Sequence, residues 1–364
     1  MNYTSIIYIL LLFSLLICSF IDNLKDNIAV LFFLLISETV LFFTYSGLES
    51  DWVTYRYWEE QASALGNSFF EKGFDFLLFI ANRTLGFNVV VIVCLFSFAF
   101  MIITLRLHTS VRVNSFFIIM ISFYLGFLPL YFGALRQAIA SNLIYMGLFF
   151  LYEKKIKRSL IFFILSFLIH KSSVLILVIY FCFWIYTYVL RNISFSKYSI
   201  SMTILSIIVY FFLKKVIEFV FSAYGISYML GNADNFTSNH LKDIFILGER
   251  FVFILFDFKL LKLTRNDISK KIFHNFALLN ISGSFFFCIT YSLARNIAGR
   301  TLAFFRYTDI IILYYSLEQF LNYLVFCGRK KLSFEKKMND ISIIICVVYS
   351  LIKYYITVRT SGVF

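Results

Sequence analysis

The stretch SLIFFILSFLIHKSSVLILVIYFCFWIYTYVL, residues 159–190, decides how this chain is read. It is predominantly apolar, and the polar tetrapeptide His170-Lys171-Ser172-Ser173 interrupts it. It is either one long helix or two arms that meet at a polar break. The basic segments elsewhere choose between these. Glu153 to Arg158, Lys259 to Lys271 and Gly328 to Lys337 are short and dense in Lys and Arg. Such segments collect on the cytoplasmic side of a membrane. A single crossing at 159–190 would separate the first from the other two, whereas a hairpin leaves all three together. The first arm, Ser159 to Ile169, would rise only about 16 Å as a helix. That is about half the hydrocarbon thickness, so His170 and Lys171 are expected at membrane depth. Irregular polar backbone is tolerated there only where protein buries it or where it lines a cavity.

The composition agrees with a membrane solvent. Of 364 residues, 61% are hydrophobic and 15% charged, and Phe and Tyr supply 49 and 24. A soluble domain is closer to half apolar and a quarter charged, and a disordered chain is far more polar. Ten further stretches read as spans: 4–21, 28–45, 88–107, 113–132, 135–152, 198–213, 244–261, 272–291, 304–326 and 341–358. With the hairpin they predict an all-α, polytopic integral membrane protein of about 12 transmembrane segments. Residues 1–364 form a single transmembrane domain in this reading, with both termini outside and long outer loops at 46–88 and 214–243. Phe74 to Ile80 and Val216 to Phe221 within those loops suit interfacial amphipathic helices. The segment Thr4 to Ile21 lacks a basic leader and a cleavage site, so it is expected to remain as a span.

The formal net charge is +13. Roughly 19 of the basic residues fall in the cytoplasmic segments, which is the positive-inside bias and not a nucleic-acid-binding face. No nucleic-acid partner is expected. Cys18, Cys94, Cys182, Cys288, Cys327 and Cys346 stand singly in or beside apolar runs, without disulfide or zinc spacing. The chain carries no GxxxxGK, HExxH, CxxC, GxGxxG or Asp-x-Asp motif, so neither a cofactor nor a metal is expected.

Three polar groups fall on the predicted outer side. Pro129 closes one span and Gly133 turns the chain, which puts Arg136 in the first turn of the next helix. The helix dipole disfavours a cation there, but the free N–H groups of a helix start favour an anion that a guanidinium can clamp. A snorkelling arginine is the plainer alternative. The second group is the His170 break, where Ser172 is placed to cap the returning helix. The third holds Arg295, Arg300, Arg306 and Asp309. There Arg295 and Arg306, eleven residues apart, would share a face of a continuous helix, and an interfacial arginine band with one Arg306–Asp309 ion pair is the plainer alternative. The loop at 46–88 interleaves Glu49, Asp51, Glu59, Glu60, Glu71 and Asp75 with Trp52, Tyr55, Tyr57 and Trp58. That pattern suits sugar binding or an interfacial aromatic belt.

Taken in order, several pieces resemble the EpsG-like branch of the Wzy-type bacterial polysaccharide polymerases. They are Gly47 with Asp51 and Tyr55, then Glu71-Lys72-Gly73-Phe74, then Arg136-Gln137-Ala138-Ile139-Ala140. Phe167-Leu168-Ile169-His170-Lys171-Ser172-Ser173 follows, and last come Arg300 and Arg306-Tyr307. Lys72 stands where the family usually has proline. The resemblance implies a multi-pass glycosyltransferase of the bacterial inner membrane. Its expected substrate is an undecaprenyl-diphosphate-linked oligosaccharide, polymerised into O antigen, capsule or exopolysaccharide at the periplasmic face without a metal. By the same resemblance, Arg136, Arg300, Arg306 and Gln137 would hold the diphosphate. Glu71, Asp51 or His170 would take the acceptor proton, and Trp52, Tyr55 and Tyr307 would hold sugar rings. The bilayer, a chain-length regulator and a flippase of the same pathway are the implied partners. A flippase, other transporter or ligase of lipid-linked oligosaccharide is the alternative. A transporter, however, would want a charged path through both leaflets and often repeated halves.

Overall fold

A computed structural model describes residues 50–62, 71–108, 134–174, 240–264 and 271–293, with isolated helical positions at 204, 208, 211, 215, 302, 304, 305, 308, 309, 312, 313, 348, 349 and 352. All regular structure among them is α-helical, as the all-α reading expects. We number the helices α1 Ser50–Ala62, α2 Lys72–Arg83, α3 Asn88–His108, α4 Leu135–Tyr152, α5 Ile156–Ile169, α6 His240–Thr264 and α7 Lys271–Leu293. They fall into two compact units, α1 to α5 in one and α6 with α7 in the other. The expected spans at 4–21, 28–45 and 113–132 lie outside the described residues, as do Pro129 and the segment Val216 to Phe221.

In the first unit α4 is the central helix. Nearly every side chain from Leu135 to Phe150 is buried, including Ser141 and Asn142. Small residues let its neighbours approach closely. A Cβ on Gly147 would stand 2.5 Å from the Phe163 ring of α5, so those two helices pack almost backbone to ring. Ser166 Oγ of α5 donates to the Ala140 carbonyl at 2.9 Å, and Asn142 Nδ2 donates to Ser97 Oγ of α3 at 2.9 Å.

The turn between α4 and α5 is a Schellman motif. Lys155 N–H reaches the Phe150 carbonyl at 2.8 Å, Lys154 N–H reaches Leu151 at 2.9 Å, and Lys154 takes the left-handed φ of 62° that this motif requires. The turn is tight enough to restart the helix inside the basic run. Helix α5 therefore begins at Ile156, three residues before the expected arm at Ser159, and ends at Ile169 as anticipated. Beyond it the chain turns at Lys171 and Ser172 and resumes helix at Ser173. Ser172 occupies the capping position, but its buried hydroxyl makes no hydrogen bond; the backbone bonds Ser173 N–H to His170 and Val174 N–H to Lys171 form that turn instead.

Among the described residues no helix is both long and apolar enough to cross a membrane. Two helices nonetheless bury polar side chains while exposing apolar ones. Helix α5 buries Ser159 and Ser166 while Leu160, Ile161, Ile164 and Leu165 are exposed. Helix α6 buries Arg250 and Asp257 beside Phe253 and Ile254, while Ile244, Phe251, Val252 and Leu255 are exposed.

Candidate active site

Glu71 is the N-cap of α2, with its carbonyl accepting Phe74 N–H and Asp75 N–H at 2.9 Å each. Its side chain makes no capping bond to α2. The carboxylate reaches across to two other helix ends instead. Arg136, in the first turn of α4, donates from Nη1 to Glu71 Oε2 at 2.8 Å. At the far end of α5, Lys171 N–H donates to Glu71 Oε1 at 3.0 Å. The His170 Nδ1 stands 3.6 Å from that same oxygen, at ion-pair distance and just beyond a hydrogen bond. The side chains are only partly exposed, 21% for Arg136, 11% for Glu71 and 12% for His170.

The antiparallel hairpin of α4 and α5 accounts for this meeting, because it returns the chain from the basic turn to the level at which α4 began. Helix α2 then docks its first turn on the last turn of α5. Gly73 makes this possible, since any Cβ there would lie 2.8 Å from the Leu168 carbonyl oxygen. Helix α1 supplies the wall. The Arg136 guanidinium carbon lies 5.6 Å from the centroids of both Tyr55 and Phe74, and its Nε donates to Tyr55 Oη at 3.4 Å. A cation enclosed by two ring faces gains cation–π attraction as well as the ion pair. The dipole argument placed Arg136 correctly at a helix start, and Glu71 now provides the counter-charge that makes the position tolerable.

Burial opposes ionisation of Glu71, but the His170 imidazole, the Lys171 N–H and the Arg136 charge outweigh it and bring its pKa down from 4.5 to about 2. In this arrangement the carboxylate is fully ionised and a weak base. Glu59 on α1 goes the other way. Its own burial, then the neighbouring Glu60, raises its pKa above the usual value.

The structure thus brings together Glu71, Arg136, His170 and Tyr55, which the sequence had assigned to three separate roles. Tyr55 is 2% exposed, with Phe74 edge-on at 5.3 Å and Phe87 stacked at 6.2 Å, so its ring is enclosed by protein. Gln137 is buried on the packing face of α4, where its main-chain carbonyl accepts Ser141 Oγ at 2.7 Å. Asp51 and Trp52 fall in the first turn of α1, with their side chains outside what is described. Arg300, Arg306 and Tyr307 lie outside the described residues.

The family model that matches residues 30–364 is that of the EpsG family. The chain belongs to the EpsG family. That membership points to polymerase-like work in polysaccharide biosynthesis. Neither a curated protein nor a solved structure matches the chain.

The second unit of this EpsG-family protein holds a buried polar network that the sequence reading passed over. Arg250 of α6 makes a bidentate pair with Asp309, Nη1 to Oδ1 at 2.9 Å and Nη2 to Oδ2 at 2.7 Å. Asn280 of α7 donates to Asp257 Oδ2 at 3.0 Å and accepts Thr308 Oγ1 at 3.3 Å. Arg250, Asp257, Asn280, Thr308 and Asp309 are all buried. Arg250 thus reaches both oxygens of Asp309, while Arg306, to which the spacing had offered it, lies outside the described residues. The available signal was Glu249-Arg250 and Asp257, which interrupt an otherwise apolar span.

Proposed function

We propose that this protein is a multi-pass membrane glycosyltransferase that joins lipid-diphosphate-linked oligosaccharide units into surface polysaccharide. The observation that carries the reading is the convergence of Arg136, His170 and the Lys171 N–H on the one carboxylate of Glu71. Membership of the EpsG family supports it. The buried polar and exposed apolar side chains of α5 and α6 support the membrane setting. In water, exposing those Leu, Ile and Phe side chains while burying Ser, Arg and Asp would forfeit about 25 cal/mol for each Å² of apolar surface left out. Hydrocarbon reverses that preference.

In the reaction we propose, a sugar hydroxyl of the acceptor unit attacks the anomeric carbon of the donor glycan. A new glycosidic bond forms, the bond from the anomeric carbon to the phosphate oxygen breaks, and polyprenyl diphosphate leaves with the electron pair. Arg136 stabilises the charge that grows on the leaving diphosphate, with Arg300 and Arg306 as further candidates. The hydroxyl proton passes to the pair formed by Glu71 and His170. The donor and acceptor are undecaprenyl-diphosphate oligosaccharides, the product is O antigen, capsule or exopolysaccharide, and the site opens to the periplasmic side of the inner membrane. A flippase and a chain-length regulator would act beside it.

The test is polymer length and amount in cells carrying Arg136→Ala or Arg300→Ala at matched protein abundance. Loss of polymer, with single repeats still reaching the final acceptor, is the expected result. Unchanged polymer in both variants would defeat the reading, and loss of the single repeat as well would identify a ligase.

A further inference from the structure

The resting site already contains an anion where the proposed substrate must place one. Arg136 is the cation assigned to the diphosphate, yet its Nη1 is held by Glu71 Oε2 at 2.8 Å. A diphosphate that engages Arg136 through Nη1 has to displace that oxygen. The other Glu71 oxygen has separate support from Lys171 N–H at 3.0 Å and from His170 at 3.6 Å. Both of those belong to the break after α5 and neither depends on Arg136. The bridge is partly open to solvent. Glu71 also sits just ahead of the first helical turn of α2, so its side chain can swing without unwinding a helix.

We propose that Glu71 is a displaceable counter-ion, exchanged on Arg136 by the donor's diphosphate. The proposal rests on the polymerase reading above. In the resting state the carboxylate neutralises Arg136. When the diphosphate takes the guanidinium, Glu71 Oε2 loses its cation while Oε1 remains held by Lys171 N–H. Its basicity rises as that charge departs. The acceptor hydroxyl then gives its proton to Glu71 as its oxygen bonds to the anomeric carbon. The glycosyl–phosphate bond breaks onto a diphosphate already held by Arg136. The exchange thus puts the donor's diphosphate on Arg136 before the proton is transferred.

The prediction separates binding from turnover. Purified Glu71→Gln protein should bind farnesyl diphosphate about tenfold more tightly than wild type, equivalent to ~1.4 kcal/mol of lost competition, while polymerisation falls to background. Inorganic pyrophosphate should gain by the same factor, because the exchange concerns the headgroup alone. Glu71→Asp, with a shorter reach to Arg136, should also bind more tightly but retain measurable turnover. A residue that merely holds the fold would lose binding and turnover together. Unchanged or weakened diphosphate affinity in Glu71→Gln overturns the exchange. Wild-type protein gives a reading that needs no variant: infrared difference spectra on adding farnesyl diphosphate should show a perturbed carboxylate stretch, and unaltered carboxylate bands overturn the proposal. If wild type binds neither probe and Arg136→Gln leaves polymer unchanged, the polymerase reading itself has failed. If wild type binds and Glu71→Gln gains nothing, only the exchange has.

Discussion

A side-chain Cβ at Gly73 would stand 2.8 Å from the carbonyl oxygen of Leu168 and 2.9 Å from its Cβ. The start of α2 and the end of α5 meet there backbone to backbone, and Glu71 and His170 are carried by the two parts that meet. The obstacle is main-chain carbonyl, which cannot rotate away as a side-chain tip does. Gly73→Ala should therefore separate the two helix ends and cost about 1–3 kcal/mol through overpacking. Activity should fall further than stability, because the displacement falls on the Glu71 contacts. Thermal unfolding in detergent and polymer yield at matched abundance would show this. Wild-type polymer from a destabilised Gly73→Ala protein would mean that the site does not depend on this approach.

Tyr55 gives a second prediction, since its ring is enclosed by Phe74 and Phe87 and its hydroxyl accepts from Arg136 Nε, a placement suited to positioning that guanidinium. Tyr55→Phe keeps the ring against Phe74 and Phe87 but removes the acceptor of the Arg136 Nε bond. Loss of one such bond is worth about 0.5–1.5 kcal/mol. The expected effect is a rise of about 2–10-fold in KM for the lipid-diphosphate donor, with KM for the acceptor glycan unchanged. A variant that alters acceptor KM alone would return Tyr55 to the glycan.

Much of the helix pattern was legible in hydropathy alone. The expected span 135–152 coincides with α4, and 88–107 and 272–291 fall within a residue or two of α3 and α7. The break at His170 was legible because four polar residues in an apolar run have few other uses. The partners across the site were not. Glu71 is 65 residues from Arg136 and 100 from Lys171 along the chain, so no local spacing connects them. The same holds for Arg250 and Asp309, which are 59 apart. Periodicity reports which face of a helix is apolar. It does not report which helix that face meets.

The Arg250–Asp309 pair should behave as a buried ion pair does. Removing one partner strands a charge in an apolar interior and costs about 3–5 kcal/mol. Arg250→Ala and Asp309→Asn are each expected to lower the unfolding temperature in detergent sharply. Arg250→Met combined with Asp309→Leu should recover much of the loss, because replacing both charges with apolar groups is often close to neutral. Double-mutant coupling from thermal unfolding measures it. Single variants that unfold like wild type would show that the pair contributes nothing measurable to stability.

Acid should weaken the first unit through Glu71. Its folded pKa, about 2, is below its ordinary value of 4.5, so the folded state favours the ionised form more than the unfolded chain does. A carboxylate of this kind contributes its stability above the unfolded pKa and loses it as pH falls through the folded one. The contribution should therefore be complete near neutrality, decline as pH drops below about 4.5, and vanish near 2. Glu71→Gln removes the titrating group, so the difference in unfolding temperature between wild type and this variant should shrink across that window. Glu59, shifted upward mainly by its own burial and then by Glu60, carries the opposite sign, and Glu59→Gln should leave stability at neutral pH equal or higher. If the wild-type and Glu71→Gln curves stay parallel from neutral pH down to about 2, Glu71 is not stabilised by the ion pair with Arg136 and its neighbours.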